Sequence, residues 1–375
     1  MATAYFIYTK YYDFDKDYIS IGGVQTYIKG LMPVFKSLNF SCVVYQTGTQ
    51  NRRAELDDGT VVCEADTSAL KTRNEQIKML VAGIMKEYND NEDMLIFLAN
   101  EIACENTVSR SIALQHGISW DWLTKLNLSK ARLIAHYIVK ARESYKIIDN
   151  LKHVKRLVCV DHNFPNWLRS TAVKCDTPFT VIPNFTAIAE PCEKPADRIN
   201  VIFARRFFEY RGTRIFVPAI KKVLDKHENV YVTIAGSGPD EELIREELEG
   251  YESRVCITEY AAAETLEMHK DKHIAVVPTI MSEGTSLSLL EAMSAQCAVV
   301  CTDVGGLSNI VIDGYNGVFC ESETEDVAEK ICELIENEEM RKSISRNGYE
   351  TVKNGFSYEL WQERWKKVIE NMMGA

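Results

Sequence analysis

Short apolar runs alternate with amphipathic segments along the whole chain, and this alternation predicts strands connected by helices. In the first half, the runs that we interpret as strands are Tyr5–Tyr8, Ser41–Tyr45, Met94–Leu98, Arg110–Gln115, Arg156–Val160 and Thr180–Pro183. In the second half they are Asn200–Ala204, Val230–Gly236, Val255–Ile257, Ile274–Pro278 and Ala298–Thr302. The helical patterns cover Val24–Leu38, Ser68–Tyr88, Ser129–Asn150, Arg214–Lys226, Asp240–Glu249, Ser286–Ala295 and Thr324–Asn337. This order predicts an α/β fold with parallel sheets.

A polar, proline-containing stretch between Asn184 and Arg198 interrupts the alternation, which restarts at Val201. Such composition is typical of a linker. With 375 residues, the chain is also longer than one hydrophobic core usually serves. We therefore predict two Rossmann-like domains, residues 1–185 and 186–356, with a cleft between their carboxyl strand ends as the default site. An amphipathic helix in 357–375 is expected to pack back on the N-terminal domain.

Composition narrows the function. The net charge of −11 argues against general nucleic-acid binding, so an anionic ligand would need a local basic site. The eleven cysteines contain no CxxC pair, which predicts reduced thiols in a cytoplasmic protein. No apolar run approaches the roughly 18–20 residues of a membrane span.

The most informative stretch runs from Pro278 to Met293, where a buried strand leads through a small-residue turn into a helix. Glu283 lies in the turn, and Glu291 lies about two helical turns further on. After Gly284, the amides of Thr285, Ser286 and Leu287 would be donors without a partner inside the helix, and an anion binds well at such a helix N-terminus. The two carboxylates could then accept hydroxyl hydrogen bonds on either side of that anion. The same pattern also fits an ordinary capped helix.

Two further groups suit an anionic ligand. The pair Gly22 and Gly23 precedes a helix and allows close approach of a phosphate, although a simple turn would look the same. Arg205, Arg206 and Arg211 follow a predicted buried strand, where guanidinium groups would match diphosphate oxygens. Surface salt bridges are the alternative for these arginines.

Two other strand ends carry less chemical information. Gly236 ends a predicted strand, and the glycine there allows a sharp turn. His116 ends an apolar strand in the first half, and both a structural and a functional role remain open. No acidic metal-binding motif stands out at a strand end.

Taken in chain order, these pieces resemble family 4 glycosyltransferases, also called group 1. The Glu283 and Glu291 pair is similar to the E-x7-E motif of that family. The accompanying motifs are Gly22-Gly23, Val181-Ile182-Pro183-Asn184, Arg206 with Arg211-Gly212, Gly236-Ser237-Gly238-Pro239, Gly305-Gly306 and Asp313-Gly314-Tyr315-Asn316-Gly317. The resemblance is dense over about 180–320 and thin over about 30–110. It departs from the family pattern where Ala204 replaces glycine and Arg211 replaces lysine.

The resemblance implies a GT-B fold and a retaining transfer of a sugar without a metal or a cofactor. Glu283 would hold donor-sugar hydroxyls, and Glu291 would hold the ribose hydroxyls. Arg206 and Arg211 would bind the diphosphate, with Arg205 as an alternative to Arg206 because either spacing to Arg211 can be matched. The remaining implied contacts are the amides near Ser286 and Leu287, the Gly22-Gly23 loop, His116 near the reacting carbon and Tyr260 near the base.

The expected function is therefore transfer of a hexose from a nucleotide-diphosphate sugar, with UDP as the expected nucleotide. The acceptor would be a glycan or a lipid-linked molecule in cell-surface polysaccharide or lipopolysaccharide assembly. Two alternatives are a nucleotide-sugar 2-epimerase of the same fold and a non-catalytic nucleotide-sugar-binding protein. An oxidoreductase is disfavoured because the GxGxxG fingerprint is missing.

One stretch also suggests a surface partner. From Lys125 to Arg156 there are nine Lys or Arg residues against two acids. This local excess could attract anionic head groups at the inner face of a membrane, or it could be one solvated helix face.

Overall fold

A computed structural model describes residues 2–20, 22–118, 129–171, 173–261, 264–281 and 283–374. Within these residues the chain forms two compact units. The first contains residues up to His116, the chain from 129 to Pro183, and the C-terminal segment from Trp361. The second contains Asn184–Leu360 together with Gly117 and Ile118.

The first unit is built on a largely parallel sheet. Its elements are β1 (Thr3–Tyr8), β2 (Tyr12–Asp13), β3 (Tyr18–Ile19), α1 (Gly23–Ser37), β4 (Ser41–Gly48), β5 (Arg52–Glu55), β6 (Val61–Asp66), α2 (Arg73–Ile84), β7 (Met94–Phe97), β8 (Ser111–Gln115), α3 (Lys130–Leu151), β9 (Arg156–Cys159), α4 (Asn163–Ser170) and β10 (Phe179–Val181). The strand order is β10-β9-β8-β7-β1-β4-β6-β5, and the β5–β6 pair is antiparallel. β2 and β3 form a separate small hairpin.

The second unit has a parallel sheet of order β13-β12-β11-β14-β15-β16. Its elements are β11 (Ile199–Ala204), α5 (Thr213–Lys226), β12 (Val230–Ala235), α6 (Glu241–Glu247), β13 (Val255–Thr258), α7 (Thr265–His269), β14 (Ile274–Val277), α8 (Leu287–Ser294), β15 (Ala298–Thr302), β16 (Val318–Cys320), α9 (Thr324–Glu336) and α10 (Glu338–Gly355). A last helix, α11 (Tyr358–Met373), continues from this unit into the first.

Burial explains why these segments are strands. All six residues of β11 are buried. Its apolar side chains pack alternately into two different apolar clusters. Val201 and Phe203 belong to one apolar cluster, whereas Ile202 and Ala204 belong to another. Because successive side chains of a strand point to opposite faces, a continuous apolar run is what a sheet covered on both faces requires.

The sequence did not predict β5 or β6, which pair at one edge of the first sheet. Both strands alternate partly buried or buried residues with more exposed ones, and β5 consists of Arg52-Arg53-Ala54-Glu55. Charged edge strands of this kind lack the apolar run that identifies a central strand. Helices α4 and α10 were also not predicted, although α10 has 18 residues.

Helix α11 contributes two tryptophans to the core of the first unit. Trp365 is fully buried and donates its indole N–H to the hydroxyl of Tyr27, on α1, at 2.9 Å. Trp361 packs edge-on against the same ring, with 5.1 Å between centroids. Tyr27 also meets the ring of His116, with 5.2 Å between the ring centroids. Among the described residues, no helix combines the length and the apolar content that crossing a bilayer requires.

We expect Trp365→Ala to lower the free energy of unfolding by about 3–5 kcal/mol, because it removes a fully buried aromatic side chain. Urea unfolding followed by circular dichroism would measure the change. Glu363→Ala, at an exposed position of the same helix, is the matched control and should have little effect. Equal loss in both variants would contradict the packing role of Trp365.

Candidate functional site

The centre of the candidate site is Glu283, in the turn between β14 and α8. Its carboxylate oxygens lie 2.6 and 2.9 Å from Nη2 of Arg205. Nη1 of Arg211 lies 2.8 Å from Oε1, and the hydroxyl of Thr279 donates to Oε2 at 2.7 Å. β11 ends just before Arg205 and β14 ends just before Thr279, so neighbouring strands of the sheet bring the residues together at their carboxyl ends.

The electrostatics of this cluster favour the charged carboxylate. Burial alone would raise the pKa of Glu283, but the charges of Arg205 and Arg211 and the hydrogen bonds to the carboxylate lower it to about 2. Burial lowers the pKa of Arg205, whose side chain is 3% exposed and whose partner is Glu283. An arginine stays protonated in proteins, so two positive groups surround one negative group at neutral pH.

The two arginines that the sequence left open lie in different environments. Arg205 is buried and contacts Glu283, whereas Arg206 is exposed and donates to the hydroxyl of Tyr210 at 3.3 Å. The backbone continues the β11–β12 ladder at this point, because the amides of Arg205 and Phe207 donate to the next strand. Alternation then buries 205 and 207 and exposes 206. Arg206 therefore lies outside the Glu283 cluster, and its predicted role at the diphosphate stays a prediction. The buried Phe207, two residues after Arg205, was the available signal for this alternation.

Glycines allow backbone segments to pack tightly around the cluster. Gly236 has φ +144°, and a side chain there would overlap with the carbonyl of Arg205. Gly306 donates its amide to the carbonyl of Glu283 at 2.6 Å, and a Cβ on Gly306 would overlap with the carbonyl of Gly284. The double glycine that follows β15 therefore lets this backbone lie directly against the turn that holds Glu283.

Glu291 lies on α8 in a different environment from Glu283. It accepts one hydrogen bond, from the hydroxyl of Thr265 at 2.9 Å, and burial raises its pKa. Tyr260 lies beside the same pair, and burial together with the charge of Glu291 raises the pKa of Tyr260 to about 12. Tyr260, Thr265 and Glu291 thus form a second polar group, with hydroxyl and carboxyl functions, in the same unit as the Glu283 cluster.

In the chain, the N-terminus of α8 lies between Glu283 and Glu291. Thr285 and Ser286 are buried, and the carbonyl of Thr285 accepts from Nδ2 of Asn184 at 2.6 Å. Ser286 is the N-cap residue, but its side chain makes no capping hydrogen bond and instead meets the hydroxyl of Ser288 at 3.2 Å. The helix begins at Leu287, so its first amides have no partner within the helix.

The remaining predicted residues lie in the first unit. Gly23 begins α1. Gly22 is the N-cap residue of this helix and has no side chain that could cap it. His116 follows β8, and its Nε2 lies 2.9 Å from the carbonyl of Leu98. Burial lowers the pKa of His116 to about 4, so the ring is neutral at pH 7. Contact with Tyr27 places His116 beside α1, the helix that Gly23 begins.

Sequence reasoning missed two threonines of the site. Thr279 bonds to Glu283, and Thr265 bonds to Glu291. Thr279 is the second residue after the apolar strand β14, and this position at a carboxyl strand end could have identified it. Thr265 comes at the start of a short helix far from any motif, so nothing in the sequence pointed to it.

Comparison with known proteins agrees with this geometry. The family model of glycosyl transferases group 1 matches residues 184–351, which include both glutamates and all three arginines. Residues 184–351, a little under half of the chain, are thus similar to group 1 glycosyl transferases. The family resemblance expected from the motifs is therefore confirmed.

Curated relatives match only part of this chain. An uncharacterised glycosyltransferase, MJ1178 of Methanocaldococcus jannaschii, is 46% identical over 98 residues, which are 26% of this chain and 27% of that protein. The capsular polysaccharide biosynthesis glycosyltransferase CapM of Staphylococcus aureus is 26% identical over 172 residues, 44% of this chain and 45% of that protein. The chain thus spans between about a quarter and a half of the curated relatives it matches.

Solved structures match over nearly the whole chain and establish the fold. Sucrose-phosphate synthase of Thermosynechococcus elongatus has a TM-score of 0.78 at 15% identity and covers 100% of both chains. HepE of Anabaena, in a complex with UDP and glucose, has a TM-score of 0.71 at 13% identity and covers 98% of this chain and 99% of that chain. The predicted GT-B fold, α/β with two Rossmann-like domains, is confirmed.

We expect Glu283→Gln to lower the free energy of unfolding at pH 7 by about 3–5 kcal/mol, because it leaves buried Arg205 without its counter-ion. The folded-state pKa of Glu283, about 2, lies below the ordinary value of 4.5. Its stabilising effect is therefore present above pH 4.5 and is lost as the pH falls toward 2. Urea unfolding across this range should show the difference between wild type and variant shrinking. Glu350→Gln, at an exposed site, should leave stability unchanged. A difference independent of pH would contradict the ion-pair interpretation.

We expect Gly306→Ala to destabilise the protein by about 1–3 kcal/mol, because the added methyl group overlaps with the backbone of Gly284. Gly355→Ala is the matched control, since a Cβ at that position meets no atom within 4 Å. Thermal unfolding of both variants would measure the contrast. If Gly306→Ala were as stable as Gly355→Ala, close packing against the turn would not be what requires glycine.

Proposed function

We propose that this protein is a retaining, metal-independent glycosyltransferase that moves a hexose from a nucleotide-diphosphate sugar to a glycan or lipid-linked acceptor. The observation that carries this proposal is the cluster of Arg205, which is buried, with Arg211 and Glu283, which are partly buried, beside the N-terminus of α8. Its arginines are suited to the diphosphate and its carboxylate to the sugar. HepE, which shares the fold, was solved with UDP and glucose, and this favours UDP as the nucleotide.

The diphosphate leaving group would be stabilised by positive charge from the protein. Nη1 of Arg205 is buried and has no hydrogen-bond partner among the described residues, so it retains a donor for a phosphate oxygen. The first amides of α8 add further donors and the positive end of the helix dipole. Donors held in place before the reaction stabilise the charge that develops as the sugar–phosphate bond breaks. In this proposal, the guanidinium groups do the work that a metal ion could do elsewhere.

The two glutamates would bind opposite parts of the donor. With a pKa of about 2, Glu283 is an acceptor at neutral pH and suits hydroxyls of the sugar. Glu291 would accept from the ribose hydroxyls, with Thr265 holding its carboxyl group in place. Tyr260, which lies beside this pair, would contact the base. These roles rest on the family resemblance and on the positions of the side chains.

The acceptor would attack the anomeric carbon of the sugar from the same face that the phosphate leaves. The configuration at that carbon would then be retained. The oxygens of Glu283 already meet Arg205, Arg211 and Thr279, an arrangement suited to orienting a sugar rather than to attacking it. We therefore assign the proton of the acceptor hydroxyl to an oxygen of the departing phosphate. No covalent intermediate with the protein is required.

His116 would contribute from the first unit. Because the carbonyl of Leu98 can only accept, Nε2 carries the ring proton in that contact. Nδ1 of the neutral ring is then left as an acceptor, suited to a sugar hydroxyl. The Gly22-Gly23 backbone would supply a further approach to the phosphate or the acceptor.

The acceptor would belong to cell-surface polysaccharide or lipopolysaccharide assembly, as the name of the relative CapM suggests. We place the reaction in the cytoplasm, or at the inner face of a membrane. None of the eleven cysteines forms a disulfide, which favours a reducing compartment.

Nucleotide binding provides the first test. We expect UDP or a UDP-sugar to raise the melting temperature, since ligand at a hundred times its Kd stabilises the folded state by about 2.7 kcal/mol. Arg205→Ala and Arg211→Ala should each weaken UDP binding by about ten- to hundredfold, because each removes a charged donor. Arg206→Ala should bind UDP like wild type, since Arg206 faces Tyr210 and not the cluster. Equal effects of all three substitutions would contradict the assigned geometry.

Transfer itself separates the proposal from its alternatives. Glu283→Ala should abolish sugar transfer to the acceptor and leave the protein folded, whereas unchanged transfer would remove the central assignment. Consumption of a UDP-sugar to its 2-epimer without any acceptor would identify an epimerase. Binding without either reaction would identify a non-catalytic protein.

A further inference from the structure

Helix α3 exposes large apolar side chains to solvent. Ile134 and Tyr145 are each 61% exposed, and Tyr137 and Ile138 are similarly open. The helix is anchored mainly through its C-terminal half, where Ser144, Ile147, Ile148 and Leu151 are buried. Half of the exposed large apolar residues identified in the described chain lie on this one helix. Scattered exposed apolar residues are ordinary, but a concentration of them on one helix marks a binding surface.

Helical spacing places these residues on a single face. Counted from Ile134, positions at intervals of three, four, seven and eleven fall on the same side of a helix with 3.6 residues per turn. We call this face the α3 stripe, and its residues are Ile134, Tyr137, Ile138, Ala141 and Tyr145. Val139 is as exposed as Ile138, at 49%, but it points well away from the α3 stripe.

Positive charge accompanies the α3 stripe. Helix α3 carries five cationic residues against two acidic ones, Glu143 and Asp149, in a chain of net charge −11. Glu143 pairs with Lys140, and Asp149 pairs with Lys152, which follows the helix. Lys130, one turn before Ile134, and Arg142 then border the α3 stripe. Lys146 and Arg132 lie further round the helix, on the side of Val139 and away from the buried anchor residues. The predicted basic stretch begins at Lys125, which lies outside the described residues.

We propose that the α3 stripe docks on the surface of an anionic lipid bilayer. A helix with an apolar face bordered by Lys and Arg lies in the interfacial plane, with its apolar side chains below the head groups and its cations among them. The apolar face gives binding to any bilayer, and the cations select negatively charged lipid. This inference concerns where the protein works and does not depend on the proposed chemistry.

Charge argues against a second copy of this chain as the occupant. A symmetric contact through the α3 stripe would bring Lys130 and Arg142 of both copies to one interface. Like charges placed together in this way oppose association. An anionic surface instead neutralises them, so charge complementarity favours the bilayer.

Vesicle sedimentation with the intact chain tests the proposal. We expect binding to vesicles of phosphatidylcholine mixed with phosphatidylglycerol, and much weaker binding to pure phosphatidylcholine. Ile138→Ser should lower the partition coefficient severalfold, and the double variant Ile134→Ser with Ile138→Ser should lower it by about tenfold or more. Val139→Ser is the matched control and should bind like wild type. Arg142→Gln with Lys146→Gln should weaken binding to the anionic vesicles and reduce its sensitivity to salt.

Several results would overturn the proposal. These are no binding of wild type to anionic vesicles, equal binding to neutral and anionic vesicles, and equal loss in Ile138→Ser and Val139→Ser. A dimer in light scattering that dissociates in the double serine variant, without vesicle binding, would assign the α3 stripe to a second copy. All substituted side chains are solvent-exposed, so an unchanged melting temperature is expected and checks that the fold survives. UDP binding should be equal in every variant, which separates a failure here from a failure of the proposed function.

Discussion

A buried carboxylate held between two guanidinium groups is the interaction on which the second unit's chemistry depends. Charges are costly to remove from water, and a buried ion pair is stable only with close geometry and additional hydrogen bonds. Glu283 has these in Arg205, Arg211 and the hydroxyl of Thr279. Since two cations surround one anion, the cluster keeps an excess positive charge inside a chain that is acidic as a whole. A phosphate group is the natural complement of such a centre.

The surrounding sheet explains how that charge is held in place. Buried apolar strands on both sides fix the positions at which Arg205 and Thr279 emerge, and Thr302 at the end of β15 donates to the carbonyl of Thr279 at 2.6 Å. The turn carrying Glu283 is then closed from the other side by Gly306. Rigid strands with short, tightly packed turns are the arrangement in which a charged site can be positioned before its ligand arrives.

The sequence predicted the α/β class, the central strands and the motif with Glu283 and Glu291, because long apolar runs and turn residues carry strong local signals. It failed where the signal is not local. β5 is a charged edge strand whose partner decides its structure, and Thr265 joins Glu291 only through folding. Whether Arg205 or Arg206 faces inward depends on which alternate positions at the end of the strand are buried. The apolar Phe207 indicates that the odd-numbered positions, 205 and 207, are buried. The two glutamates also have different hydrogen-bond partners, Thr279 for Glu283 and Thr265 for Glu291, and no spacing encodes them.

The aromatic contact between α11 and Tyr27 has a consequence for how the chain acquires its structure. The first unit is discontinuous, because its core includes Trp361 and Trp365 from the far end of the sequence. During synthesis the segment up to residue 183 leaves the ribosome without these two side chains and cannot finish its core alone. The second unit, by contrast, has nearly all of its core before α11 is made. Translation therefore completes the later segment before the earlier one, reversing the usual order in which domains mature.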